Sequence, residues 1–323
     1  MDELNLPIDS VLSSLETVES QKKRLSIFRF ENRGDADLLS LILLFLEHIR
    51  IFFLLEPLIA FKVLKFLDER RNAIHDLFMY VGKVDSAISV LSLREEAPYF
   101  CKPAILEHFG LAFNSIYHPL IPECVPNSLI VGEKSVLLTG SNMSGKTTFI
   151  RTVAINTLLA QTINTCFAKE FSLLPMKIFS AIRISDDLLN DKSYYFEEVL
   201  TIKEMVNESD SPSNLFLLDE LFKGTNTIER IAAGKAVLSF LASKKNIVFV
   251  STHDIELTDL LQDSYDLYHF TELIKDEMIY FDYKLKQGKL TTRNAIRILE
   301  LNDYPKDVII NAKEVTKLLM GSP

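Results

Sequence analysis

The sequence predicts an α/β domain with a largely parallel sheet, preceded by an all-α region. Residues 8–93 are rich in Leu, Ile and Phe and poor in Gly, a composition typical of helices. Farther along, short β-type runs alternate with helical runs, which indicates parallel strands connected by helices. A glycine-containing motif at residues 140–147 lies between one such strand and one such helix.

The two regions are separated by a stretch that is rich in proline. Pro98, Pro103, Pro119, Pro122 and Pro126 interrupt the helical pattern and indicate a connector. We place the boundary near Ser115, so the helical region covers residues 1–115 and the α/β domain covers 116–323. The predicted strands are 134–139, 215–219, 246–251 and 278–283. The predicted helices are 146–160, 194–207, 227–243 and 305–319.

Composition restricts the class of protein. The 323 residues are 48% hydrophobic, which is enough for two packed cores. The net charge of −9 argues against a generally basic nucleic-acid binder. A local basic patch is compatible with this net charge. Cys101, Cys124 and Cys166 have neither metal-ligand spacing nor an even count, so we interpret them as reduced intracellular thiols. Residues 1–20 have no apolar core of the signal-peptide type, and we expect a cytoplasmic location.

One very apolar segment, Leu38–Leu55, raises the question of a membrane span. Glu47 and Arg50 interrupt it, and each charge at the centre of a span costs about 2.5–3.5 kcal/mol, whereas each Leu, Ile or Phe returns only about 0.3–0.6 kcal/mol. These terms roughly cancel. We therefore favour a buried helix in which Glu47 and Arg50 pair, and we consider a membrane unlikely as a partner.

Residues 140–147 form a complete G-x-x-x-x-G-K-[ST] phosphate-binding loop. Gly140 and Gly145 permit the tight turn that aims successive backbone N–H groups at phosphate oxygens, and the following helix adds its positive end. Lys146 is expected to reach the β- and γ-phosphates, and the Thr147 hydroxyl to bind Mg²⁺. The predicted nucleotide-binding residues of this segment are Gly140, Ser141, Asn142, Met143, Ser144, Gly145, Lys146, Thr147 and Thr148.

Two later strands carry polar residues at their carboxyl ends, where open α/β sheets bind ligands. Asp219 and Glu220 follow the apolar run 215–218; we assign Asp219 to Mg²⁺, and Glu220 to orienting or deprotonating the attacking water. His253 follows the run 247–250 and is predicted to contact the γ-phosphate as a sensor.

A helix begins near Ser193, which has the residue type of an N-cap. An exposed helix amino end attracts anions, so in a dimer this one could act on the partner's γ-phosphate. An ordinary capped helix is the alternative that the residues alone leave open.

These segments together resemble the MutS family of DNA mismatch-repair ATPases, from about His118 to Val315. Thr139-Gly-Ser-Asn-Met-Ser-Gly-Lys-Thr147 keeps the Asn-Met pair of the family's phosphate loop, and Ser185-Asp-Asp-Leu188 resembles its S-D-D-L stretch. Asp219-Glu-Leu-Phe-Lys-Gly-Thr-Asn-Thr227 is similar to D-E-x-x-x-G-T-x-T, and Thr252-His-Asp-Ile-Glu-Leu-Thr258 to T-H-x-x-E-L-T. The resemblance implies a P-loop NTPase domain of the MutS/ABC-ATPase type that uses ATP and Mg²⁺.

The resemblance also implies a homodimer with two composite sites. Ser193 stands where the family has its trans-acting signature serine, and Asn226 and Thr227 would lie close to the facing subunit. Tyr283 stands near a position where relatives use His against the partner's nucleotide.

The chain departs from the family at several positions. Ser141 replaces a usual Pro, Arg230 stands where a D-G pair would follow, and the stacking aromatic before the first ATPase strand is replaced near Cys124 and Val125. Residues 1–115 are long enough only for part of the helical core and lever, so the mismatch-reading domain with its Phe-x-Glu wedge is not expected here.

The sequence therefore predicts a MutS-like ATPase that couples its ATP state to DNA binding, repair or processing. One variant of this function is a clamp that acts on branched or duplex DNA without reading mismatches. The alternative is an ATP-driven assembly or membrane-proximal module that uses Leu38–Leu55 as its interaction surface. A transporter-type ATPase is disfavoured because no L-S-G-G-Q signature precedes Asp219.

Overall fold

The computed structural model describes residues 45, 48–49, 51–141, 143–182, 194–211, 213–275, 278–290 and 295–320. Within these ranges the helices are α1 (Leu55–Glu69), α2 (Arg71–Glu95), α3 (Lys146–Ile163), α4 (Tyr194–Glu208), α5 (Thr227–Ala242), α6 (Glu256–Leu261), α7 (Ala295–Leu301) and α8 (Lys306–Met320). The strands are β1 (Ala104–Ile105), β2 (Leu111–Ile116), β3 (Asn127–Val131), β4 (Ser135–Thr139), β5 (Glu170–Leu173), β6 (Lys177–Ala181), β7 (Asn214–Asp219), β8 (Asn246–Ser251), β9 (Tyr265–His269), β10 (Glu272–Lys275), β11 (Met278–Phe281) and β12 (Lys286–Gln287).

The chain divides into two compact units, Met1–Leu93 and Arg94–Pro323. Helices α1 and α2, apart from the last two residues of α2, belong to the first unit, and all the described strands belong to the second. The predicted domain boundary near Ser115 stays a prediction. The second compact unit also contains β1 and β2, because both strands pair with β5.

Apolar side chains of the first unit are widely exposed. Ile51 and Phe52 are 70% and 81% exposed, so at these positions the predicted burial of the segment Leu38–Leu55 is wrong for the single chain. Leu54 adopts a left-handed conformation with φ 49° directly before α1, which ends any continuous helix there. Most of the segment, including Glu47 and Arg50, lies outside the described residues. Among the residues that are described, no helix is both long enough and apolar enough to cross a membrane.

The second unit is built on a six-stranded sheet with the order β12-β9-β4-β8-β7-β6. All its neighbouring strands pair in parallel except β12, which is antiparallel to β9. Strands β4 and β8 are buried along their whole length, and their continuous apolar runs suit a sheet that is covered on both faces. This confirms the predicted α/β domain with a largely parallel sheet.

Alternate side chains of the central strands enter two separate cores. On one face, Leu138, Leu217 and Phe249 pack with residues of α3, and on the other face Leu137 and Phe216 pack with residues of α4, α5 and α6. The period of two along each strand produces this division. Helix α3, which follows the phosphate loop, is thereby fixed on one face of the sheet, and α4 is fixed on the other.

A four-stranded sheet with the order β1-β5-β2-β3 covers the outer side of α3. The ring of Phe149 on α3 lies 6.1 Å from that of Phe113 on β2 and 6.3 Å from that of Phe249 on β8, which places α3 between the two sheets. The proline-rich stretch is therefore more than the predicted connector, since it contains β2. Strand β11 was expected in the parallel sheet but pairs antiparallel with β10 in a separate two-stranded sheet, so that expectation is wrong.

Candidate nucleotide-binding site

The carboxyl ends of β4, β7 and β8 meet at one edge of the six-stranded sheet. Strand β8 lies between β4 and β7, and all three run in parallel. Asp219 at the end of β7 pairs in register with Ser251 at the end of β8. The loops after these strands therefore lie side by side, as expected for the ligand-binding edge of an open α/β sheet.

The loop after β4 has the backbone that its glycines predict. Gly140 and Gly145 have φ values of 149° and 107°, and Met143 between them has a φ of 70°. A Cβ atom on Gly140 would lie 2.6 Å from the backbone oxygen of Phe270, so no other residue fits there without a shift. The buried Ser144 hydroxyl donates to the Ser141 carbonyl at 2.8 Å and closes the turn.

Lys146 opens α3 and folds back over the loop. Its Nζ donates to the carbonyl oxygens of Gly140 at 2.8 Å and Ser141 at 2.9 Å, and the side chain is almost fully buried. Burial lowers the pKa of this ammonium group to about 8, although the carboxylates of Glu220 and Asp219 act in the opposite direction. The lysine is thus positioned by backbone carbonyl oxygens, and its pKa lies well below the usual value for a lysine.

Two hydrogen bonds join the start of α3 to the carboxyl ends of β7 and β8. The Thr147 hydroxyl donates to Asp219 Oδ2 at 2.9 Å, and the Ser251 hydroxyl donates to Asp219 Oδ1. A hydroxyl beside a carboxylate is an oxygen-only donor set, the chemistry that Mg²⁺ prefers. Among the described residues no group of three His, Cys, Asp or Glu side chains could hold a metal ion alone, so further ligands would have to come from phosphate or water.

The Glu220 carboxylate contacts a histidine and a lysine. Its Oε1 lies 2.6 Å from His253 Nε2, and its Oε2 contacts Lys223 Nζ. Burial alone would raise the pKa of this carboxyl group, but the hydrogen bonds from His253 and Lys223 lower it to about 2. The carboxylate therefore stays ionised throughout the neutral range. The residue has a φ of 55°, and its backbone N–H donates to Ser251 O at 2.9 Å, which fixes it to the end of β8.

A cavity of about 690 Å³ runs along the phosphate loop. Its lining includes Lys146, Thr147, Asp219 and Glu220, and also residues 121–125. The cavity is thus lined both by charged groups and by the mainly apolar segment 121–125, where the stacking aromatic is replaced. Its described lining residues are Ile116, Ile121, Pro122, Glu123, Cys124, Val125, Asn127, Ser141, Met143, Gly145, Lys146, Thr147, Thr148, Phe149, Thr152, Asp219, Glu220, Lys223, Phe270 and Tyr283.

Most of the predicted site residues meet here. Thr148 and Tyr283 line the cavity, and Tyr283 lies against the loop, since a Cβ atom on Gly145 would be 3.2 Å from its ring. His253 reaches the site through its contact with Glu220. Asn142 and Ser193 lie outside the described residues, as does the stretch 183–192 before Ser193.

Sequence reasoning missed several residues that support the site. Lys223 pairs with Glu220 from three residues farther along, a spacing that could have indicated the contact. Glu272 accepts a hydrogen bond from the Ser141 hydroxyl at 2.8 Å, and Ser251 binds Asp219, but both lie far from their partners in sequence. No local pattern signals such contacts.

The fold and the site define a class of protein, the P-loop nucleotide-binding proteins of the α/β type. Comparison with known proteins then identifies the family. The family model described as MutS domain V matches residues 136–320. This chain belongs to the MutS family, and its second unit carries that domain.

Relatives in bacteria and in human agree with this assignment. The chain is 31% identical over 245 residues to the DNA mismatch repair protein MutS of Clostridium tetani, covering 71% of this chain and 27% of that protein. It is 32% identical over 251 residues to the protein of the same name in Aquifex pyrophilus, covering 75% and 29%. It is 29% identical over 278 residues to MutS protein homolog 4 of Homo sapiens, covering 79% and 29%. The chain thus spans less than a third of the length of these relatives.

Proposed function

We propose that this chain binds ATP, hydrolyses it with Mg²⁺, and couples its ATP state to the binding, repair or processing of DNA. One observation carries the proposal. The phosphate loop, the pair Thr147–Asp219 and the ionised Glu220 lie together along a single cavity at the carboxyl edge of the sheet. Membership of the MutS family supports the same function.

In this proposal the loop binds the triphosphate. The backbone N–H groups of residues 140–148 hold phosphate oxygens, aided by the amino end of α3. Lys146 exchanges its two carbonyl partners for phosphate oxygens and neutralises charge on the β- and γ-groups. Tyr283 and residues 121–125, which also line the cavity, would contact the base and sugar.

Thr147 and Asp219 are the residues that would hold Mg²⁺, which supplies positive charge beside the phosphates. Glu220 would orient the attacking water. Its pKa of about 2 makes it a weak base, so an orienting role is favoured over proton abstraction. His253 lies beside Glu220 and would sense the γ-phosphate. Loss of the γ-phosphate would therefore alter the surroundings of both side chains.

The family resemblance leads us to propose a homodimer with composite sites. Helix α4 begins at Tyr194, the residue that follows Ser193 in the sequence, and Ser193 itself lies outside the described residues. In the proposal Ser193 acts at the amino end of this helix on the γ-phosphate of the partner. Asn226, which is expected near the facing subunit, accepts a hydrogen bond from the Glu229 backbone N–H at 3.0 Å and caps α5.

DNA is the proposed partner because of the family. Two of the relatives described above are named DNA mismatch repair proteins, and their names favour DNA over an assembly module that does not bind DNA. The DNA structure that this chain prefers is a separate question, since a net charge of −9 confines attraction for phosphate to a local patch.

Hydrolysis is tested with Glu220→Gln and Lys146→Ala. We expect Glu220→Gln to bind ATP as the unmodified chain does and to lose about 100-fold or more in kcat, because the orienting charge is removed. We expect Lys146→Ala to weaken ATP binding itself. Equilibrium binding of a fluorescent ATP analogue and steady-state phosphate release measure the two effects, and the exposed Glu133→Gln serves as the matched control. Turnover by Glu220→Gln at the unmodified rate would refute the assignment.

DNA coupling is tested by gel shift. Duplex, mismatched and junction DNA are compared with and without ATP over a range of salt concentrations. We expect at least one DNA to be retarded, with an affinity that depends on ATP and falls as salt rises. If none of the three binds under either condition, the DNA part of the proposal is wrong while the ATPase part is unaffected.

A further inference from the structure

Glu198 on α4 carries a buried carboxyl group outside the cavity described above. The residue is 2% exposed, and its Oε1 accepts a hydrogen bond from the backbone N–H of Phe222 at 2.7 Å. Its Oε2 has no hydrogen-bond partner within the described part of the chain. Burying a carboxyl group is costly unless it is well bonded, so this position calls for a reason beyond packing.

The acceptor of this hydrogen bond holds a turn that begins at Glu220. Phe222 lies two residues after Glu220 and one before Lys223, whose ammonium group contacts the Glu220 carboxylate. Both Glu220 and Phe222 have positive φ values, 55° and 58°, which non-glycine residues adopt only when their surroundings impose them. The bond from Phe222 N–H to Glu198 is one such constraint. This hydrogen bond therefore helps to fix the orientation of Glu220 and Lys223.

A second contact joins the same helix to the same turn. The ring of Tyr195 on α4 lies 6.3 Å from the ring of Phe222, and a Cβ atom on Gly224 would lie 2.8 Å from the Tyr195 Cβ. The amino-terminal part of α4 thus touches the turn at two places, through a hydrogen bond and through close packing on a glycine. Movement of α4 in either direction would alter both contacts.

We propose that Glu198 is a positioning residue for hydrolysis, which locks the turn of Glu220 to α4 through the backbone N–H of Phe222. Glu198 acts through Glu220 and does not touch the nucleotide. The inference rests on the proposed function, because it makes the catalytic geometry of Glu220 depend on the helix that follows Ser193. An event that shifts the amino end of α4 would then change hydrolysis without a change at the phosphate loop.

The test compares three variants of the full chain. Glu198→Ala removes the acceptor, Glu198→Gln keeps an oxygen that accepts the same bond, and Glu204→Ala alters an exposed glutamate on the same helix. We expect Glu198→Ala to lose about tenfold or more in kcat, with ATP affinity within about twofold, because only the placement of Glu220 is disturbed. Glu198→Gln should recover most of this loss, and Glu204→Ala should show none.

A readout that is independent of activity accompanies the kinetics. Hydrogen exchange at the Phe222 amide, measured on the folded chain, should accelerate at least tenfold in Glu198→Ala and remain slow in Glu198→Gln and Glu204→Ala. Gly224→Ala, which presses on Tyr195, should also lower kcat with little effect on ATP affinity.

The outcomes separate the two proposals. Unchanged Phe222 exchange in Glu198→Ala, or rapid exchange with full kcat, would overturn the positioning role alone. A kcat of Glu198→Gln as low as that of Glu198→Ala would also overturn it, since the acceptor is retained. Absence of turnover by the unmodified chain would overturn the proposed function, and with it the role of Glu198 in hydrolysis, whatever the exchange data show.

Discussion

At the scale of single residues, Gly140 leaves less room for a side chain than Gly145, the other glycine of the phosphate loop. Its φ of 149° and the Phe270 carbonyl oxygen only 2.6 Å from an added Cβ both exclude a side chain. We expect Gly140→Ala to lower the free energy of unfolding by about 1–3 kcal/mol and to weaken ATP binding, because the loop must shift. Chemical denaturation and nucleotide titration measure these effects.

Gly132→Ala is the control for that substitution. An added Cβ on Gly132 meets nothing within 4 Å, and the residue has no left-handed backbone. Gly132→Ala should leave the free energy of unfolding and the free energy of ATP binding within about 0.5 kcal/mol of the unmodified values. Equal effects of the two substitutions would show that strain at Gly140 is not the cause.

The sequence predicts the principal residues of the candidate site better than it predicts their partners. Lys146, Thr147, Asp219 and Glu220 stand in local motifs whose chemistry requires those residue types, so they can be found one segment at a time. The buried Glu198 could not be found in this way, because its partner is a backbone N–H 24 residues away. Such contacts are set by tertiary packing.

At the scale of secondary structure, the carboxyl end of α3 is held by a single arginine. Arg94 donates from Nη2 to the carbonyl oxygens of Ile163 and Asn164 at 3.3 Å and 3.2 Å, and from Nε to the Thr165 hydroxyl at 2.9 Å. A cation at this end also suits the helix dipole. Arg94 thus caps the helix that begins at the phosphate loop.

Removal of this cap should loosen the end of α3. We expect Arg94→Ala to reduce the free energy of unfolding by about 1–2 kcal/mol, because several charged hydrogen bonds are lost, and Arg94→Lys to lose part of that, because an ammonium group cannot reproduce the fork. Thermal denaturation provides the comparison. A stability of Arg94→Ala equal to that of the unmodified chain would mean that the cap is redundant.

Elements with long, uniform patterns are predicted well. Helices α3, α4, α5 and α8 and strands β4, β7 and β8 match the predicted ranges within a few residues, because continuous apolar runs and helical spacing are strong local signals. Strand β9 was missed because polar residues interrupt it. The four-stranded sheet was missed because β2 and β5 are far apart in sequence and prolines surround β2.

At the scale of the whole molecule, the proposed composite site requires two copies of the chain. Mixing Ser193→Arg with Lys146→Ala should restore part of the ATPase activity that each variant lacks alone, because one site of the mixed dimer joins an intact Lys146 to an intact Ser193. Specific activity should also rise with protein concentration. Phosphate release and light scattering are measured together. Concentration-independent turnover by a monomer would exclude the trans mechanism.

The lowered pKa of Lys146 couples nucleotide binding to the number of protons that the protein carries. With a pKa of about 8, part of the ammonium population is deprotonated at pH 8, and a triphosphate that replaces the two carbonyl partners raises that pKa. Nucleotide binding should therefore take up protons, and affinity should fall by up to about tenfold per pH unit above pH 8. Titration calorimetry at pH 8 in two buffers of different ionisation enthalpy would give different heats. ATP binding would then also protonate the protein, and the affinity for ATP would depend on the pH of the solution.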